Sequence, residues 1–446
     1  MSEDTIGAIA TPPGKGGVAI VRISGKEALP IAEKMFIPAG GVAVRDFSPY
    51  RLYPGRIAAE GFSDYGLCVY FRAPHSYTGE DIVEFQCHGG ESVARGILAK
   101  CFSLGARSAG RGEFTRRAFL NGKLSLASAE GLADMINGES EAEVRAGYLL
   151  YSEKLTEQVR EFQNQLKELL AGIDAAVDYP EEDLEEREAE ALRPELVRIR
   201  DAVSALAAGY AKGRKIKSGV TVALCGKPNT GKSSLLNRLV GYEKAIVSEI
   251  AGTTRDAVEG TLEIGGVRFN LYDTAGMRES SDRIESIGIE RAENIVRAAD
   301  VVVFVSDGTE KGDDEEARVR RLAGEKPVIR LRNKIDLQEG KLSSEADVLT
   351  SATTGEGVER LKELLYEKSF GARGEDAAFL IEERHFRALR RAAESLGRAA
   401  EGCCVQPLEL VAADMTEAWE TLGEITGETA SEAVVEEIFS KFCVGK

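Results

Sequence analysis

No apolar run in the chain approaches the roughly 20 residues that a membrane-spanning helix needs, and no basic, apolar, cleavable leader stands at its start. Neither export nor membrane insertion is expected; the expectation is a cytoplasmic protein with no membrane partner. Cysteine is sparse and unpatterned. The seven, Cys68, Cys87, Cys101, Cys225, Cys403, Cys404 and Cys443, include no CxxC pair, and an odd number leaves at least one thiol free. A reducing compartment suits them. An excess of positive charge is lacking too. At −17 overall, the chain does not carry the general basic face of a nucleic-acid-coating protein. Only residues 1–123 lean positive, with 15 Lys and Arg against 12 Asp and Glu, whereas residues 124–215 hold 11 against 20 and residues 375–446 hold 7 against 15. A polyanion would therefore be met locally.

What is present is enough for about three globular domains, each with its own core, in 446 residues that are 43% hydrophobic. Residues 1–119 alternate strand-like runs (Ile6 to Ala10, Val18 to Ile23, Leu67 to Phe71, Ile82 to Phe85) with the helical spacing of Glu91 to Leu104, an α+β pattern. Over 120–215 the period becomes helical: Leu155, Val159, Phe162, Leu166, Leu169 and Ile173 form one stripe, and Leu196, Ile199, Val203, Leu206 and Tyr210 another. The basic segment Lys212 to Lys217 reads as a linker. Strands and helices alternate over 216–374, as in a parallel sheet flanked by helices. Helical spacing returns over 375–446, in Phe386, Leu389, Ala393, Leu396 and Ala400 and then in Leu408, Val411, Met415, Ala418, Leu422 and Ile425. Helices with one apolar face each must bury those faces against something. The two helical blocks are therefore expected to pack together, with the α/β domain inserted between them in sequence and its ends close in space.

The inserted domain carries the chemistry. A buried-strand run, Val220 to Cys225, feeds Gly226-Lys-Pro-Asn-Thr-Gly-Lys232-Ser233, which matches GxxxxGK[ST]. In that loop backbone N–H groups cradle phosphates, Lys232 serves the outer phosphates and the Ser233 hydroxyl serves Mg²⁺. Asn333-Lys-Ile-Asp336 follows a later strand-like run. The Asp336 carboxylate can accept two hydrogen bonds from the guanine edge, whereas adenine would leave it unpaired. Ser351-Ala352 offers backbone N–H to the guanine oxygen. Between them, Asp273-Thr-Ala-Gly276 ends a strand and places an Asp near the metal and a Gly near the terminal phosphate. Gly252-Thr-Thr-Arg-Asp256 is loop-like, with Thr254 the second hydroxyl on Mg²⁺. The GTP-binding set is thus Asn229, Thr230, Gly231, Lys232, Ser233 and Ser234; Ser248, Glu249, Ile250, Ala251, Gly252, Thr253 and Thr254; Asp273, Thr274, Ala275 and Gly276; Asn333, Lys334 and Asp336; and Ser351 and Ala352. Where Ras-type enzymes carry a water-orienting glutamine this chain has Met277, which can neither donate nor accept the bonds required. Arg278, Glu279, Asp282 and Glu285 stand nearby, and the residues alone do not choose among them. At the other end of the chain, Cys443 beside Lys446 is either a reactive thiol favoured by a neighbouring cation or a small residue at a frayed terminus.

Several signatures coincide with one family: Ala10-Thr-Pro-Pro-Gly-Lys-Gly-Gly-Val18, Ser76-Tyr-Thr-Gly-Glu-Asp81, Cys87-His-Gly-Gly90, Gly112-Glu-Phe-Thr115 with Arg117-Ala-Phe-Leu-Asn-Gly-Lys123, Ile287-Gly-Ile-Glu-Arg291 and the Cys443-x-Gly-Lys446 tail. With the GTPase motifs, they make the chain resemble the MnmE (TrmE) family of tRNA-modification GTPases from end to end. The resemblance implies a folate-binding N-terminal domain that dimerises, a helical domain and a Ras-like P-loop G domain inserted into it. It implies that Arg22, Glu84, Lys123 and Lys446 contact 5-formyltetrahydrofolate or methylenetetrahydrofolate. It implies K⁺ held by Asn229, Ser248, Ile250 and Thr253 when two G domains meet, and it selects Glu285 as the residue orienting the attacking water. Cys443 is carried over as a second catalytic candidate near the folate. The implied reaction adds a (carboxymethyl)aminomethyl group to carbon 5 of the wobble uridine of certain tRNAs, performed by a homodimer joined in a heterotetramer with the FAD-binding MnmG-type protein. Arg111 stands where the family pattern has proline, and Ser125 and Ser128 replace an aspartate and a glutamine. The rival from another class is a ribosome-assembly or tRNA-binding GTPase switch without tRNA-modifying chemistry. Such proteins usually carry a basic RNA-binding module, and residues 375–446 are acidic. A third reading, a P-loop ATPase, is countered by Asn333 and Asp336.

Overall fold

The structure, a computed structural model, describes residues 4–178, 184–241, 260–274, 284–307, 314–337, 346–371, 382–403 and 405–446. They form two compact units: one of residues 1–133, 147–204 and 387–446, the other of residues 134–146 and 205–386.

The first unit holds a seven-stranded sheet. Its strands are β1 (Ile6–Ile9), β2 (Val18–Ser24), β3 (Phe36–Pro38), β4 (Leu52–Ala58), β5 (Ser63–Phe71), β6 (Ile82–His88) and β7 (Arg107–Ser108), in the order β3-β4-β5-β6-β2-β1-β7. Every neighbouring pair is antiparallel except β1 with β7. The two-residue period sends Ala19, Val21 and Ile23 of β2 and Val83, Phe85 and Cys87 of β6 to one face. There Ile31 and Met35 of the helix Ala28–Met35 and Ile97 and Cys101 of the helix Glu91–Ser103 cover them. Arg22 and Glu84 have the opposite parity and point to the other face. The sequence reading does not anticipate β3 and β4, because Pro54 and Gly55 interrupt the strand signal of β4.

In the same unit the helix Leu408–Thr426 packs along Lys154–Asp178, as the two helical blocks are expected to do. Leu155, Val159, Leu166 and Ile173 on one and Val411, Met415, Leu422 and Ile425 on the other are buried, and Gln163 Nε2 donates to the Trp419 carbonyl at 3.3 Å. Along Glu383–Gly402 Leu389, Leu396 and Ala400 of the expected stripe are buried together with Ala388, Ala392 and Ala399, whereas Ala393 is only half-buried. The helix Glu432–Ser440 is anchored by Phe439, whose ring lies 6.1 Å from Phe119 and 5.8 Å from Phe442. Beyond it the chain runs against β1.

The second unit holds β8 (Val220–Cys225), β9 (Gly260–Ile264), β10 (Val267–Asp273), β11 (Val301–Ser306), β12 (Val328–Arg332) and β13 (Val348–Leu349), in the order β13-β12-β11-β8-β10-β9. The pairs are parallel apart from the β9–β10 hairpin. Helices Lys232–Gly241 and Val358–Phe370 cover one face; Ile284–Ala298 and Asp314–Ala323 cover the other. Near-continuous apolar runs such as that of β11 follow from burial on both faces.

Lys212 to Lys217 is not a linker. It lies in a helix, Tyr210–Ser218, whose basic side chains are docked: Arg214 reaches Asp300 at 3.4 Å, Lys215 Nζ donates to the Ser369 carbonyl at 3.1 Å, and Lys217 pairs with Glu382 and, at 2.8 Å, with Asp134. Tyr210 stacks on Phe386 with centroids 4.7 Å apart, so the chain reaches and leaves this α/β sheet side by side. Residues 134–146 also belong to this unit. Ala142 N donates to the Gly266 carbonyl at 2.9 Å in the β9–β10 turn, Ala142 packs on the sheet's core, and Arg268 of β10 pairs with Glu139 and, at 3.3 Å, with Glu143.

Candidate functional site

At the end of β8 the chain turns through Gly226 and Asn229, the latter with φ 63°, into the helix Lys232–Gly241. Gly231 has φ 92°, and a Cβ there would overlap Asn333 Nδ2. Only glycine lets the two segments approach this closely. Thr230 and Lys232 are buried. Lys232 Nζ sits inside the loop, donating to the carbonyls of Gly226 at 2.8 Å and Lys227 at 2.5 Å. Ser233 Oγ donates to Asp273 Oδ2 at 2.8 Å, bringing a hydroxyl from the helix and a buried carboxylate from the end of β10 to one point. That donor set suits a hard cation such as Mg²⁺. Thr274 is held beside β8 by its N and Oγ1, which donate to the Leu224 carbonyl at 3.2 and 3.0 Å. Ser234 and Ala352 share a cleft of about 500 Å³ with Asn237, Arg238 and Gly241.

Asn333 ties this end of the sheet together. Its Nδ2 donates to the Thr230 carbonyl at 3.0 Å, and its Oδ1 accepts from Ala352 N at 3.0 Å and Thr350 Oγ1 at 3.3 Å. Its side chain is thus a brace between the phosphate loop and the Ser351-Ala352 segment. Both backbone N–H groups expected to meet a guanine oxygen are engaged within the protein, Ser351 N with the Glu356 carbonyl at 3.0 Å and Ala352 N with Asn333. Lys334, with φ 60°, donates to the Asn229 carbonyl at 2.5 Å and lies 3.5 Å from Asp307. Asp336 is exposed. Truncation of Asn333 to Ala is expected to lower unfolding stability by about 2 kcal/mol, because buried donors lose their acceptor. A urea titration unchanged from the parent would contradict the brace.

Ser248, Glu249, Ile250, Ala251, Gly252, Thr253, Thr254, Ala275 and Gly276 lie outside the described residues, as do Met277, Arg278, Glu279 and Asp282. Glu285 falls on the helix Ile284–Ala298, with its side chain outside the description.

A second constellation lies in the first unit. Arg22 and Glu84 are cross-strand partners on β2 and β6, and Arg22 Nε donates to Glu84 Oε1 at 2.7 Å. The guanidinium lies 5.9 Å from the Tyr77 ring and 5.7 Å from the Phe114 ring, within cation–π range. Tyr77 is hydrogen-bonded to Thr115 Oγ1 at 2.8 Å, and burial pushes its phenol pKa up. Lys123 Nζ donates to the Pro74 carbonyl at 2.9 Å. The carboxyl-terminal residues lie against the same domain: Val444 bridges Arg111, Gly112 N donates to the Cys443 carbonyl at 3.4 Å, Phe442 is buried, and Gly445 rests on the Ile9 carbonyl. Cys443 is exposed and Lys446 half-buried. A cation, a carboxylate and two rings form a donor set fitted to a flat heterocycle with polar edges. Sequence reasoning assigned no role to Tyr77, Phe114, Thr350 or Arg238, the last of which ties the carbonyls of Ala352 and Thr353. Tyr77 and Phe114 belong to two of the quoted motifs, which was the signal available.

Two family descriptions match the chain: "MnmE helical domain" over residues 126–443 and "GTP-binding protein TrmE N-terminus" over residues 5–123. The chain is similar along its length to proteins named tRNA modification GTPase MnmE. That of Bordetella parapertussis is 41% identical over 449 residues, covering 99% of both chains. That of Moorella thermoacetica is 41% identical over 467 residues, covering 100% of both. That of Acetivibrio thermocellus is 39% identical over 463 residues, covering 100% of this chain and 99% of the relative. No helix among the described residues is long and apolar enough to cross a membrane.

Proposed function

The chain belongs to the MnmE family of tRNA modification GTPases, and from that premise we propose that its GTP hydrolysis drives addition of a (carboxymethyl)aminomethyl group to carbon 5 of a wobble uridine. An FAD-dependent MnmG-type protein is the partner, in a heterotetramer built on a homodimer of this chain, and a one-carbon tetrahydrofolate is the carbon donor. The G domain is residues 216–374, inserted between helical-domain segments 120–215 and 375–446, with the folate domain at 1–119. The observation that carries the nucleotide half is the Asn333 brace, which holds the phosphate loop and the base-side segment at the carboxyl end of one parallel sheet, where ligands of such sheets sit.

Lys232 and the loop N–H groups bind the outer phosphates, and Asp336 accepts from the guanine edge. Ser233, with Thr254, would hold Mg²⁺, the Ser233 hydroxyl turning from Asp273 to the ion. Asn229, Ser248, Ile250 and Thr253 would hold K⁺. Bound there, the two ions neutralise charge on the transferring phosphoryl group. Glu285 orients the attacking water in place of the glutamine that Met277 lacks. In the other site Glu84 meets the pterin N–H edge, Arg22, Lys123 and Lys446 meet carboxylates, and Cys443 lies close by.

GTP turnover in potassium chloride is expected to exceed that in sodium chloride at equal ionic strength by about 10²-fold, the lower end of what a charge-stabilising group that acts in the transition state contributes. Equal rates would mean that the water and charge are managed by other groups.

A further inference from the structure

Asn333 joins the phosphate loop to the base-side turn from one direction, and Arg238 joins them from another. Arg238 follows Lys232 on the helix Lys232–Gly241, about 9 Å along its axis at helical rise. Its Nε donates to the Ala352 carbonyl at 2.8 Å and its Nη2 to the Thr353 carbonyl. The helix is itself fixed, since Leu235, Leu236 and Leu239 are buried in the sheet's core and Leu235 N donates to the Gly231 carbonyl at 2.9 Å. The contacts therefore close into a circuit. The Thr230 carbonyl accepts from Asn333 Nδ2 at 3.0 Å, Asn333 Oδ1 accepts from Ala352 N at 3.0 Å, and the Ala352 carbonyl accepts from Arg238, whose helix begins just after Thr230. Within the turn, Gly355 N donates to the Ser351 carbonyl at 2.8 Å and Thr354 N to Ser351 Oγ at 3.1 Å. Those bonds shape the turn without fixing it to the phosphate loop. Asn333 and Arg238 do that, on the N–H and the carbonyl of one residue, Ala352.

We propose that Arg238 is a positioning residue for guanine. By holding the carbonyls of Ala352 and Thr353 it fixes the two peptide groups that follow the Ala352 N–H, and with them the direction of that N–H. A guanidinium suits the task, because its planar fork spans two neighbouring acceptors and stays charged. A guanine oxygen set against the Ala352 N–H shares it with Asn333 Oδ1 in a three-centre bond. Without the Arg238 tie the turn is free to pivot about Asn333, and the N–H leaves the line on which the phosphate loop and its helix place the base. The inference rests on the reading in which Ser351-Ala352 meets the guanine oxygen. Simple packing does not account for the residue. Its side chain is half-buried and borders the cleft of about 500 Å³ shared with Ser234, Asn237, Gly241 and Ala352, so it bridges a gap.

The test compares GTP with 2-aminopurine riboside triphosphate, which keeps the amino group and lacks the base oxygen, by competition against a labelled GTP analogue on the full-length chain. Arg238→Met should weaken GTP binding by about tenfold, the upper range for one neutral hydrogen bond, and leave the oxygen-free analogue at its parental affinity. Arg238→Lys, which can hold one carbonyl, should lose about threefold for GTP alone. In steady-state turnover the loss in Arg238→Met should fall on KM, with kcat retained. Parental GTP affinity in both variants overturns the proposal. So does an equal loss for the two nucleotides, which marks a merely structural residue, while the base reading survives as long as the parent prefers GTP. A parent that binds both triphosphates equally removes the base oxygen from the contact, and with it both the reading and the proposal.

Discussion

Asp336→Asn is expected to lower GTP affinity by about 10³-fold and to transfer preference to xanthosine triphosphate. The carboxylate accepts from two guanine N–H groups, and charge-assisted bonds of this kind contribute about 1.5–3 kcal/mol each. Replacing one carboxylate oxygen with NH₂ removes the charge and sets donor against donor, which together reach about 4 kcal/mol, or three decades. Xanthine presents a carbonyl where guanine has its amino group, so the asparagine amide regains a partner. Asp336 is exposed on the short 3-10 turn Ile335–Leu337, and the substitution leaves the buried brace at Asn333 in place, so the effect falls on recognition. Competition binding of the two triphosphates against a labelled GTP analogue reads it directly. A mutant that still prefers GTP within a few-fold of the parent would put base recognition elsewhere.

The second large effect is expected at the other end of the chain. Gly445 has φ +99° and its Cα faces the Ile9 carbonyl. An alanine there incurs the left-handed strain of about 1–2 kcal/mol and also overlaps that carbonyl, so the last residues must leave their seat. Phe442 remains buried against Phe439 and the helix Glu432–Ser440 stays folded, but Lys446 and Cys443 no longer hold fixed positions. Gly445→Ala should therefore weaken 5-formyltetrahydrofolate binding by about 10²-fold, the value of a single charge-assisted hydrogen bond together with the ordering of the tail that makes it. GTP turnover and the melting temperature should stay near the parental values. Calorimetric titration with the folate is the measurement, and an undiminished affinity would remove the tail from that site.

How far the molecule can be read without coordinates depends on the range of each interaction. The phosphate loop was legible because strand, loop and helix are contiguous: Val220 to Cys225 and Lys232 onward fix their own conformations. The pairing of helices Lys154–Asp178 and Leu408–Thr426 was legible because each carries an unbroken apolar stripe that needs a partner. The docked helix Tyr210–Ser218 was not, since Arg214, Lys215 and Lys217 are held by an aspartate, a carbonyl and two carboxylates far away in sequence, and such polar docking leaves no hydrophobic period. Asn333 was legible as a member of the GTP-binding set but not as a brace, because its side-chain contacts with Thr230, Thr350 and Ala352 exist only once β12 lies beside the phosphate loop. Arg22 and Glu84 were named through family resemblance alone. Nothing local in β2 or β6 announces that they face each other, because register is decided by the whole sheet.

The seating of residues 134–146 on the β9–β10 hairpin bears on how this protein is taken apart in the laboratory. A fragment cut at 216 and 374 would keep every nucleotide motif yet lose Ala142 from its core, Glu139 and Glu143 from Arg268, and Asp134 and Glu382 from Lys217. Its freshly uncovered flank would combine an apolar patch with stranded cations at the edge of a sheet, a surface prone to self-association. Nucleotide affinities measured on such an excised piece would describe a different strand β10 from the one in the intact chain, and the same strand ends in Asp273.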